Sequence, residues 1–300
     1  MKFRLIAITV LALLVCVPAT ADTRYRPFVL ASVNETGLSA QVANTRAALE
    51  SAGYTIAGQY QPLESAVVIV ATSGALKDVA SASDRGAYAA ALRIGVTERD
   101  GKTEVAYVNP LYLQHAYRLE ADLQGVADDL AATLGAEESY GSEKGLTAKK
   151  LRKYNYMISM QKFDDPSELG GFDSFDAATA AVEQGLARPD DALSQVYRID
   201  LPGEQALFGV AMQATGASED EKDIDEAFQM SIVDFEGHSK IAYFPYEILV
   251  NGTQVEALHM RFRMAVHFPD LSMMGAHGFT KLMSSPGAIE DALAALVKSP

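Results

Sequence analysis

Arg93 to Pro110 reads RIGVTERDGKTEVAYVNP. Apolar and polar residues alternate on both sides of Asp100-Gly101-Lys102, which predicts two strands joined by a tight turn. The same stretch lines up without a gap on Gln229 to Tyr246, QMSIVDFEGHSKIAYFPY, where Glu236-Gly237-His238 meets the turn and Ala242-Tyr243 meets Ala106-Tyr107. A self-match of this kind points to an internal repeat.

The flanks extend the correspondence. Tyr25 to Val33 (YRPFVLASV) and Tyr154 to Phe163 (YNYMISMQKF) read as extended segments. Each is followed by an Ala-rich helix, Ser39 to Ala52 or Phe175 to Ala187, whose apolar spacing suits one face down on a sheet. Two strands come next in each copy: Tyr54 to Gln61 with Ala66 to Thr72, and Leu193 to Leu201 with Gln205 to Gln213. After the matched hairpins come closing helices at Asp122 to Leu134 and Ala288 to Val297. The expected fold is α+β: two tandem β-α-β4-α repeats, 22–145 and 150–300, joined by the polar stretch Gly141 to Lys150. Consecutive strands with tight turns imply antiparallel sheets, each covered on one face by helices.

The chain has 300 residues, 25 Lys plus Arg, 39 Asp plus Glu and a formal charge of −14. Nucleic acid and anionic membranes are therefore excluded as general partners; a partner should be neutral, cationic or met by a local patch. Lys2 and Arg4, the apolar run Leu5 to Val17 and Ala19-Thr20-Ala21 read as a secretion signal over residues 1–21. Cleavage there would remove two cations, taking the charge to −16, together with Cys16, the only cysteine. The expected compartment is the periplasm or the exterior, with no thiol chemistry and no transmembrane segment left after cleavage.

In the second copy the run IAYFPYEILV (Ile241 to Val250) meets Asn251-Gly252 and returns as TQVEALHMRFRMAVHF (Thr253 to Phe268), a strong hairpin signal for a type I′ turn. This predicts an additional hairpin strand, with Val250 opposite Thr253, Phe244 opposite His259, Ala242 opposite Arg261 and Lys240 opposite Arg263. Strand alternation then puts Ile241, Tyr243, Leu258, Met260, Phe262, Met264, Val266 and Phe268 on a core face. The other face carries Phe244, Tyr246, His259, Arg261, Arg263 and His267, a basic and aromatic stripe.

ALESAGYTI (Ala48 to Ile56), RIGVTERDGKTEVAYVNP (Arg93 to Pro110) and the closing helix resemble the DUF302 family of small bacterial α+β domains. The resemblance implies a TBP-like β-α-β4-α fold and no established activity, so no catalytic residue is carried over from it.

Three clusters are candidate sites. Lys240, Phe244, Tyr246, His259, Arg261 and Arg263 offer a seat for the anionic group of an amphipathic molecule, because Arg presents a planar fork to a carboxylate. His267, Met273, Met274 and His277 carry imidazole and thioether groups suited to copper. His259 with Arg261 and Arg263 also suggests non-covalent haem. The acidic loop at Asp220, Asp223 and Asp225 has oxygen ligands but lacks the glycine and distal glutamate of an EF-hand. HExxH, G-x-S-x-G, GxGxxG and P-loop motifs are all missing. The sequence thus favours an exported, non-enzymatic binding protein for an amphipathic anion or a protein partner, with a copper or haem protein as the alternative.

Overall fold

A computed structural model describes residues 23–189, 192–216 and 219–298; the secretion signal read over residues 1–21 lies outside the described residues. The chain runs through β1 (Arg24–Tyr25), β2 (Phe28–Asn34), α1 (Leu38–Ser51), β3 (Thr55–Leu63), β4 (Ala66–Thr72), α2 (Gly74–Ser81), β5 (Leu92–Arg99), β6 (Lys102–Val108), α3 (Pro110–Ala116), α4 (Gln124–Leu134) and β7 (Glu138–Tyr140). After β8 (Leu146–Thr147) and α5 (Ala148–Arg152) it forms β9 (Ser167–Gly171), α6 (Phe175–Leu186), β10 (Leu193–Leu201), β11 (Gln205–Met212), α7 (Glu226–Val233), β12 (Tyr246–Asn251), β13 (Gln254–Ala257), α8 (Met260–His267) and α9 (Ser285–Val297).

The fold is α+β with antiparallel sheets. One sheet has the order β3-β4-β5-β6-β2-β7 and the other β10-β11-β12-β13-β9, while β1 pairs with β8. Leaving β7 aside, both sheets follow one scheme: strand, helix, then four consecutive strands, with the first strand docked beside the last. Helix formation has local causes. α1 buries Val42, Thr45 and Leu49, three and four residues apart, and packs over β3, β4 and β5. Ser73 and Ser174 cap α2 and α6 by accepting from the backbone N–H three residues on.

β5 shows how the two units meet. Arg93, Gly95, Thr97 and Arg99 share one face of that strand, and all four touch the second unit. Arg93 Nε donates to Ala242 O (3.1 Å), Thr97 Oγ1 to Ser239 Oγ (3.0 Å) and Arg99 Nη1 to Gly237 O (2.6 Å). A Cβ on Gly95 would stand 2.4 Å from Ile241 Cγ2, so glycine is what lets the backbones approach here. Arg85 Nε, bonded to Glu256 Oε1 at 2.9 Å, and Tyr60 Oη, bonded to Glu226 Oε1 at 3.0 Å, hold the seam elsewhere.

Several expectations are corrected. Gln229 to Tyr246 is not a hairpin: Asp225 Oδ1 accepts from Phe228 N (2.7 Å) and starts α7 through Gln229. Pro245, which has no N–H, delays the ladder until Tyr246. The pair that occupies the place of β5–β6 is instead β12–β13, which completes the five-stranded sheet rather than adding a ribbon to it. Tyr154 to Phe163 holds no strand; the second unit's first strand is β9. The turn is centred on Gly252-Thr253, with Asn251 opposite Gln254 and Val250 opposite Val255. Gly252 has φ +59° but Thr253 is not left-handed, which rules out a type I′ turn.

The largest correction concerns Met260 to His267, which is a helix. His259 Nδ1 accepts from Arg261 N (3.1 Å) and caps it, and the body is buried nearly all round. Such a helix has no apolar stripe, and Met260, Phe262, Met264 and Val266 mimic the period of a strand. The basic stripe therefore does not form.

Candidate functional site: a buried polar centre and a cleft at the seam

The stripe residues separate into two places. Phe244, Tyr246, Arg263 and His267 are buried, and Arg263 joins Arg93, Glu247 and Tyr197 in a polar centre between the units. Arg93 Nη1 donates to Glu247 Oε2 (2.7 Å) and Arg93 Nη2 to His267 Nε2 (3.2 Å); Tyr197 Oη donates to Glu247 Oε1 (3.0 Å). Arg263 Nη2 donates to Tyr243 O (2.6 Å) and Pro245 O (2.5 Å), and lies 3.6 Å from Glu247 Oε2. Its guanidinium rests on the Tyr243 and Tyr246 rings at 4.3 and 4.7 Å, a cation–π arrangement that replaces part of its lost hydration. Among the described residues the Nε and Nη1 atoms of Arg263 find no hydrogen-bond partner.

His267 is a helix residue one turn after Arg263 and uses both ring nitrogens. Nδ1 lies 2.8 Å from Arg263 O, a carbonyl that only accepts, so Nδ1 carries the proton and Nε2 accepts from Arg93. Burial, and then the adjacent Arg93 and Arg263 cations, hold this imidazole well below its usual range. The unfolded chain therefore takes up a proton below about pH 6.5 that the folded chain refuses, so stability contributed by neutral His267 is complete above that pH and lost as pH falls. Between about pH 6 and 5 the parent is expected to lose up to about 1.4 kcal/mol per pH unit more than His267→Gln. Urea unfolding across that range checks it, and equal slopes would contradict it.

These positions correct the metal and haem expectations as well. His267 has no free nitrogen for copper, and Met273 packs against the core. His259 is occupied as a cap, with Nε2 3.8 Å from Glu290 Oε2, and Arg263 is enclosed, so the haem set does not assemble. Arg261 alone of that set is partly exposed. In the acidic loop, Asp225 is engaged by Phe228 N and Ala214 N, and the Asp220 side chain lies outside the described residues.

The second place is a cleft of about 1030 Å³ to which Lys240, Met274 and His277 do contribute. Its walls are the β7 segment 138–143, the loop 233–240 after α7 and the loop 268–277 after α8. Phe235 and His277 stack with ring centres 4.0 Å apart and planes 18° from parallel. Phe235 is 47% exposed and Met274 76% exposed, so this apolar shelf stands open. Buried Tyr140 and Phe268 also line the cleft; Tyr140 Oη donates to Ser239 O.

The cleft is acidic. Glu138, Glu143, Glu236 and Asp270 line it against two full cations, Arg26 and Lys240. Both cations are already engaged. Arg26 donates to Ser142 O (2.7 Å) and Glu143 O (3.0 Å), while Lys240 Nζ donates to Glu236 O (2.8 Å) and lies 3.5 Å from Asp234. Asp270 braces the wall through Glu143 N (2.5 Å). An anion entering here meets net negative charge, whereas a cation meets carboxylates with an aromatic surface beside them. Phe235 escaped the sequence reading because a lone aromatic in DFEGH has no periodicity to mark it. Among the described residues no group of three or more His, Cys, Asp or Glu is arranged to hold a metal ion.

Set against family models, curated proteins and solved structures, the chain matches none.

Proposed function

We propose that the chain is an exported, non-enzymatic binding protein whose cleft holds an amphipathic molecule with an aromatic or apolar body and a cationic group. The observation that carries this is the open Phe235/His277 shelf in a cleft rimmed by four carboxylates. A concave site of this volume, with apolar lining and a few directed polar groups, suits small-molecule recognition. Export rests on the N-terminal signal pattern. The common strand order of the two sheets supports descent from one duplicated unit, and the DUF302 resemblance is part of the same proposal. The anionic ligand suggested by the sequence lacks support here, because of the two guanidiniums meant to receive it Arg263 is enclosed and Arg261, partly exposed, does not line the cleft.

Calorimetric titration with an aromatic quaternary ammonium and a matched aromatic carboxylate tests the reading. The ammonium is expected to bind more tightly. Phe235→Ala should weaken it by about 2- to 12-fold, the span of aromatic-pair energies of about 0.5–1.5 kcal/mol, and Glu138→Gln with Glu236→Gln should weaken it further. Tighter binding of the carboxylate, or an unchanged affinity in Phe235→Ala, would overturn it.

A further inference from the structure

Residues 144–163 contain Lys144, Lys149, Lys150, Arg152, Lys153 and Lys162 and no acidic residue, in a chain where acids outnumber Lys plus Arg by 39 to 25. The five lysines are exposed, and among the described residues none of them has an ion pair. In α5, Leu151 is buried while Lys149 and Lys150 stay in water, as does Lys153 just after it. Directly beyond lies the loop 155–162. Its ends are tied down: Tyr154 Oη donates to Ala265 O (2.7 Å), and buried Phe163 stacks on Tyr117 with ring centres 5.5 Å apart. Between these anchors Tyr156 Oη holds Leu271 O (3.3 Å), and Met160 N closes a turn on Met157 O (3.2 Å).

That turn presents Met157 at 49% and Ile158 at 91% exposure. At that exposure Ile158 forgoes nearly all of the about 1.5–3 kcal/mol that burying it would contribute to folding. We infer that the Met157-Ile158 tip and the exposed lysines that flank it in the chain form a docking patch for an anionic lipid surface, the tip entering the acyl boundary while the lysines meet headgroups. Apolar insertion together with several cations is the combination that gives peripheral membrane binding. The patch also explains how a strongly acidic chain approaches such a surface: six cations in residues 144–163 outnumber the flanking Glu143, Asp164 and Asp165, of which Asp164 is paired with Arg118 at 2.9 Å, and charges beyond a Debye length of about 10 Å are largely screened. This goes beyond the cleft reading and does not depend on it.

Flotation of the full chain with vesicles of phosphatidylglycerol and phosphatidylethanolamine, and with phosphatidylcholine vesicles, tests the inference. Binding to the anionic vesicles alone is expected, with at least a tenfold loss at about 0.5 M salt, where screening shortens the reach of the charges. Ile158→Glu and the triple variant Lys149→Glu/Lys150→Glu/Lys153→Glu should each weaken binding at least tenfold, with an unchanged unfolding midpoint for Ile158→Glu. Equal binding to neutral vesicles, no binding at all, parental binding by both variants, or binding only to an added protein fraction would each overturn it.

Discussion

Glu247→Gln is expected to destabilise the protein by about 3–5 kcal/mol, the cost of breaking a buried ion pair by removing one partner. Glu247 is 1% exposed and is the carboxylate nearest both buried guanidiniums, at 2.7 Å from Arg93 and 3.6 Å from Arg263. The glutamine keeps the shape and still accepts from Tyr197, so the loss isolates the charge. Arg93→Met in the same background should cost less than the two single changes summed, because one stranded cation has gone with its partner. Urea unfolding of the four proteins measures the coupling. A loss below about 1 kcal/mol in Glu247→Gln would mean that water reaches the centre, against the enclosure described above.

Gly209→Ala is expected to cost about 1–3 kcal/mol, the range for overpacking a filled core. A Cβ there would lie 2.1 Å from Tyr197 Cε1, and Tyr197 cannot swing aside without giving up its bond to Glu247. The register makes the reason local: Tyr197 on β10 pairs with Gly209 on β11, which pairs with Glu247 on β12, so ring, gap and carboxylate lie side by side on one face. Tyr197→Leu should recover part of the loss in the double variant. Thermal unfolding tests this, and additive losses would show that the ring is not what the new methyl meets.

Elements with one wet and one dry face were legible in the chain. α6 starts where its pattern predicted and β10 matches at both ends; β4, buried along its whole length, also matches at both ends, as a short apolar run between turn residues. α8 was not legible, because a helix enclosed on nearly every side has no polar stripe and its alternating apolar residues read as a strand. The gapless match of Arg93–Pro110 to Gln229–Tyr246 failed for a related reason. An apolar run beside an acidic residue and Gly looks the same whether it becomes β6 or the turn around Ile241–Tyr243 that packs against β5.

The polar centre left only a faint trace: Arg93 in LRIGV and Glu247 in YEILV are single charges inside apolar strands, and such charges must find each other or leave the core. Lys240, Met274 and His277 reached the cleft although the hairpin that suggested Lys240 does not exist. The cleft itself, assembled from three loops far apart in sequence, had no local signature.

The most direct test of the cleft as the binding site is the structure of crystals soaked with an aromatic quaternary ammonium. The account predicts its ring against Phe235 and His277 and its cationic head toward Glu138 and Glu236. Density for the compound at another surface, with the Phe235 shelf bare, would contradict it.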